Sequence, residues 1–141
     1  MIKHFFITCV LLAITFTSLA QSDEESIRDL LAQQTKEWNT GDISQFMKGY
    51  WQSDSLMFIG KSGITYGWQN TLDNYKKNYK DTVAMGKLKF NLLEFKPLSN
   101  QYYFVVGKWH LARAAGNLEG IFTLLFRKMK NTWVIVADHS S

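Results

Sequence analysis

The chain has 141 residues, with 16 Lys or Arg against 12 Asp or Glu, one cysteine and one proline. A hydrophobic content of 46% with 15% aromatics excludes a disordered chain, and the length allows one domain with a real core but not two. The net charge of +4 is spread out, and its densest cluster, Lys76-Lys77 with Lys80, reads as a solvated helix face; no nucleic-acid partner is expected.

Residues 1–20 read as a secretory signal peptide. Lys3 and His4 form a basic start, Phe5 to Phe16 is an apolar run too short to span a bilayer, and Ser18-Leu19-Ala20 is a small-x-small cleavage site. A cut after Ala20 leaves a domain over 21–141. Cys9, the single cysteine, lies inside the apolar run, so the domain has no disulfide and no thiol chemistry. The expected location is secreted or periplasmic in a bacterium, with no membrane contact after the signal is removed.

Ser22 followed by Asp23, Glu24 and Glu25 predicts a capped helix start. Ile27, Leu30, Leu31, Gln34 and Trp38 recur at helical spacing, Gly41 supplies the stop, and Asp42 caps a second helix with its stripe at Ile43, Phe46, Met47 and Tyr50. A short strand over Ser55 to Ile59 turns at Lys61-Ser62-Gly63 into Ile64-Thr65-Tyr66. Gly67 opens a third helix whose stripe is Trp68, Leu72, Tyr75 and Tyr79, and Asp81 to Gly86 reads as a loop.

The remainder is strand. Lys87 to Leu92 alternates apolar and polar, and Leu93 to Lys96 alternates on the other parity, which predicts a β-bulge near Leu92-Leu93. Tyr102 to Ala114, Leu118 to Lys128 and Thr132 to His139 follow, joined by turns at Gly116-Asn117 and Lys130-Asn131. Ile121 to Phe126 and Trp133 to Ala137 are apolar on both parities, whereas a half-exposed antiparallel strand alternates. The helices can cover one face; the other is expected to meet a second copy, with Val134, Val136 and His110 at the contact.

Helix, helix, strand, strand, helix and then a bent four-stranded meander is the order of the nuclear transport factor 2-like cone. The chain resembles that superfamily, and within it the secreted, functionally undefined members of the SnoaL-like branch. The resemblance is carried by Trp38-Asn39-x-Gly41-Asp42, Ser53-Asp54, Gly67, Gly107-x-Trp109, and Trp133-x-Ile135 leading to Asp138-His139-Ser140-Ser141. It implies an α+β fold: a cone of three N-terminal helices packed on a curved, mostly antiparallel sheet, also called cystatin-like. It further implies a mostly apolar pocket and dimerisation through the open sheet face. Catalytic members of the superfamily place an acid in the pocket; in ketosteroid isomerases a general-base Asp lies near the end of the first strand. Here that strand reads Met57-Phe58-Ile59-Gly60, with no acid.

Tyr50, Trp68, Tyr75 and Trp109 are the aromatic candidates for a pocket wall, alongside Trp38, with Arg113 and His139 as its polar contacts. His139 is the best candidate for a general base, or else a structural histidine tying the last strand to the Asp42 or Asp54 turn. His110 points away from the Trp109 face. His110 and His139 without cysteine make a poor metal set, and no nucleophile elbow, P-loop or dinucleotide fingerprint is present, so no metal or cofactor is expected. The sequence therefore favours a small-molecule-binding or accessory domain over an enzyme. An isomerase, cyclase or dehydratase using a pocket His and Tyr, and a structural dimerisation module, are the alternatives.

Overall fold

A computed structural model describes residues 22–141, so the expected signal peptide and the expected cut after Ala20 lie outside the described residues. Helix α1 runs over residues 22–39 and buries Ile27, Leu31, Gln34 and Trp38. Ser22 is already helical, so it is not the cap that its position before three acids suggested. Asp23 instead ties the first turn to the sheet: its carboxylate accepts from Lys128 Nζ at 2.8 Å and from Trp133 Nε1 at 3.2 Å.

Gly41 ends α1 at φ +87°, a left-handed value that favours glycine. The Asp42 carboxylate then accepts from the Gln45 amide at 2.9 Å and starts α2, Ile43–Phe46. The second helix is shorter than its stripe predicts, because the chain tightens into a 3₁₀ turn at Met47–Gly49. Ile43, Phe46, Met47 and Tyr50 are nevertheless all buried. Two four-residue strands follow, β1 (Met57–Gly60) and β2 (Gly63–Tyr66). Next come α3 (Trp68–Asn78) and, where a loop was expected, a one-turn helix α4 (Thr82–Met85). Asp81 caps α4 by accepting from the Ala84 amide at 2.8 Å, and Met85 is its buried anchor.

Strands β3 (Lys87–Pro97), β4 (Tyr102–Ala112), β5 (Leu118–Met129) and β6 (Thr132–Ser140) complete one six-stranded sheet in the order β2-β1-β6-β5-β4-β3. All pairs are antiparallel except β1 with β6. The α+β class and the curved sheet are as the sequence predicts. So is the bulge in β3, where the register shifts between Leu92 and Glu94. A second shift is not legible in the sequence. Phe126 faces Ile135 and Leu125 faces Ala137, which leaves Val136 as an extra residue in β6. Past that residue the inward and outward parities exchange. At mid-sheet Gly107 keeps a close approach open, since a Cβ there would stand 2.4 Å from Cζ of Phe122.

The end of α1 is welded to β3 by one side chain. Asn39 Oδ1 accepts from the Leu88 amide at 2.7 Å and its Nδ2 donates to the Leu88 carbonyl at 3.1 Å, so the amide group replaces a missing neighbour strand. Asn39→Ala should cost about 1–2 kcal/mol by leaving both Leu88 groups without that partner. Urea denaturation measures this, and an unchanged midpoint would show that water replaces the amide without loss.

Candidate functional site

Between the helices and the concave face of the sheet lies a cavity of about 830 Å³. Its wall is a connected set of rings that meet mostly edge to face: Trp38 with Phe46 at 5.1 Å and Tyr79 at 4.9 Å, Phe46 with Tyr75 at 5.5 Å, and Phe58 with Tyr75 at 5.6 Å between centroids. Phe90, Phe122 and Leu124 line the sheet side. The lining residues that remain exposed, among them Lys61, Ser62, Asn74, Asn78 and Glu119, mark a polar mouth.

Among the described residues, one charged group lies deep. Asp138 is 4% exposed and lines the cavity. Tyr50 Oη donates to its Oδ2 at 2.7 Å and Ser140 Oγ donates to its Oδ1 at 2.8 Å. Burial pushes the carboxyl up to about 6; the two hydroxyl hydrogen bonds and the nearby His139 oppose that rise. Burial, and then the Asp138 charge, hold the Tyr50 and Tyr75 phenols well above their ordinary value, so both keep their protons. The arrangement is a carboxyl group held by one phenol and one serine hydroxyl at the wall of an aromatic chamber, with the Tyr75 phenol within reach of its charge. It is able to accept or donate a hydrogen bond and to hold a proton near neutral pH.

Of the residues singled out from sequence, Trp38, Tyr50, Tyr75 and Trp109 line the cavity. The Trp109 indole N–H is buried without a hydrogen-bond partner among the described residues. Trp68, Arg113 and His139 are not in the lining. Trp68 donates from Nε1 to the Met47 carbonyl at 2.8 Å and so ties α3 to the 3₁₀ turn. Arg113 donates to the Gly116 carbonyl at 3.0 Å and to the Ala84 carbonyl at 3.3 Å, bracing the β4–β5 turn on α4. His139 is exposed. The extra residue at Val136 sends Asp138 inward and His139 outward, so the acid absent from β1 is supplied by β6. Sequence reasoning missed this exchange because Trp133 to Ala137 are apolar at every position, and no change of alternation marks the bulge as it does in β3.

No protein-family model matches the chain, and no curated protein matches it. Solved structures do. An NTF-2-like protein of unknown function from Shewanella oneidensis is similar at 45% identity and a TM-score of 0.81, over 84% of this chain and 98% of that one. A domain of unknown function with a cystatin-like fold from Nostoc punctiforme is similar at 16% identity and a TM-score of 0.72, over 85% and 76%. An NTF2-like superfamily protein from Salmonella enterica is similar at 18% identity and a TM-score of 0.63, over 89% and 92%. The last two likenesses are of fold alone.

The raised Asp138 carboxyl has a consequence for stability. Between its ordinary value of 3.8 and about 6 the folded chain binds more protons at this group than the unfolded chain does. The favourable contribution is full below 3.8 and is lost as pH rises through about 6. Asp138→Asn removes the titration and keeps an acceptor for Tyr50. It should leave stability little changed near pH 4 and raise it by on the order of 1–3 kcal/mol at pH 7.5. Urea melts at the two pH values test this; equal pH slopes in both proteins would contradict it.

Proposed function

The chain belongs to the nuclear transport factor 2-like superfamily, and on that premise we propose that it is a domain that binds a small, largely apolar or aromatic molecule inside its cone. The observation that carries this reading is the chamber of about 830 Å³, which falls in the size range of small-molecule sites and combines an aromatic wall with a buried carboxyl group, Asp138. Rings that close-pack leave no void; these meet edge-on and surround one. The basic start and apolar run before Ala20 support the further proposal that the domain works outside the cytoplasm.

A second reading is favoured by one specific observation. Asp138 sits beside Tyr50 with its carboxyl pushed up to about 6, the range in which a carboxylate exchanges protons at neutral pH. An isomerase, cyclase or dehydratase of the SnoaL-like kind would use Asp138 with a tyrosine, in the place that the sequence assigns to His139. Screening apolar and aromatic compounds by thermal shift, then repeating the hits on two variants, separates these readings. Under the binding reading Trp109→Ala weakens binding by about 1–3 kcal/mol through lost contact area. Under the enzymatic reading Asp138→Asn abolishes turnover while ligand still binds. If no compound raises the melting point and Trp109→Ala only destabilises the fold, the cavity is not a binding site.

A homodimer through the outer sheet face is proposed as well. Phe104, Val106, Leu125, Val134 and Val136 are only half-covered in the single chain, and Ile121 is 50% exposed. Such a row of apolar side chains is better covered than left in water. Val134→Lys should then yield monomer or insoluble protein, because it buries an unpaired charge. Sedimentation at micromolar concentration is the measurement, and a monomeric wild type would remove the proposal.

A further inference from the structure

The charges that line the cavity are unequally placed. Lys61 and Glu119 stand at the exposed mouth, whereas Asp138 is buried. Both Asp138 oxygens receive a hydroxyl hydrogen bond, yet among the described residues no Lys or Arg pairs with it; the two ion pairs present are Arg28–Glu24 and Lys128–Asp23. His139, its neighbour in the chain, is exposed. Hydroxyl donors relieve the loss of water but do not neutralise the charge.

What surrounds this carboxylate is aromatic. Phe58 is its register partner on β1, its ring 5.6 Å from that of Tyr75, and the Tyr50 ring lies 5.9 Å from Phe46. A neutral hydrocarbon placed here would strip the carboxylate of its remaining solvent and give nothing back, and an anion would be repelled. A positively charged nitrogen would neutralise the carboxylate, and its alkyl or aryl substituents would meet ring faces that carry negative potential.

We infer that the ligand is an organic cation, an ammonium whose N–H donates to Asp138 and whose substituents lie among Tyr50, Phe58 and Tyr75. This rests on the reading of the cavity as a small-molecule site and names the chemistry of its occupant. The groups around Asp138 are Tyr50 just after the 3₁₀ turn, Phe58 from β1, Tyr75 from α3 and Leu124 from β5, with His139 and Ser140 beside it on β6. Both tyrosines keep their protons well past neutrality. Cation and proton therefore compete for the same carboxylate oxygens.

Three probes of matched size test the assignment by calorimetric titration of the exported domain at pH 7.5: phenethylamine as cation, phenethyl alcohol as neutral molecule and hydrocinnamate as anion. Phenethylamine should bind at least about tenfold more tightly than the alcohol, and hydrocinnamate most weakly. In Asp138→Asn, checked for folding by its melting curve, the amine and the alcohol should bind alike. In the wild type the amine affinity should fall as pH drops through about 6 while that of the alcohol does not. His139→Gln should keep that dependence. The wild-type pH series needs no variant, so a misfolded Asp138→Asn leaves the test intact. An alcohol that binds as tightly as the amine overturns the cation and leaves the binding reading standing. So does a failure of all three probes to bind when compounds from the apolar screen do bind. If nothing from either set binds, the cavity reading falls and the cation falls with it.

Discussion

The hydrogen bond from Tyr50 to Asp138 joins side chains 88 residues apart and crosses between the two layers of the domain. Around it the backbone follows: Tyr50 makes a parallel bridge with Ile135, and the Trp51 amide donates to the Ile135 carbonyl at 2.9 Å. The helical layer is thereby fastened to the last strand at the point where that strand carries its extra residue. Asp23 fastens the other end of α1 to Lys128 and Trp133. Next to the Asp23 tie, Ile27 and Leu31 of α1 are fully buried in the core, and the chamber occupies the gap farther along, where Gln34 and Trp38 reach its wall.

That gap survives because its wall is stiff. Aromatic rings have few rotamers, and edge-to-face contacts fix one ring by the next. Trp38 is the hinge of this set: it touches Phe46, Tyr75 and Tyr79, and its indole N–H donates to the Met85 carbonyl at 3.2 Å. The one-turn helix α4 thus braces the wall, presenting one carbonyl to Trp38 and another to Arg113. The register shifts in β3 and β6 are bulges, which bend the strands that carry them.

The electrostatics of the chamber follow from the same packing. Burial disfavours charge on every group that faces inward, so the carboxyl rises and the two phenols stay protonated. Two donors converge on Asp138 and hold its oxygens in place. A carboxylate so fixed is preorganised: it meets a ligand without first having to order itself.

Much of the architecture was legible in the amino-acid order alone. Helical spacing located α1 and α3 and the buried stripe from Ile43 to Tyr50, glycines at 41 and 67 marked their boundaries, and the change of alternation after Leu92 located the first bulge. Those signals are local, since a period of 3.6 or 2 residues is set by backbone geometry and the need to bury one face. The site was less legible. Tyr50, Tyr75 and Trp109 could be chosen as large rings on inward faces, but the polar partner could not. Whether residue 138 or 139 faces the cavity depends on one extra residue at Val136. In an all-apolar run that insertion leaves no trace, because every position there tolerates burial. The choice between carboxylate and imidazole was made by the pairing of β6 with β5 and β1, and by the Tyr50 hydroxyl waiting on the other layer. These are long-range contacts, and only the assembled tertiary structure could decide them.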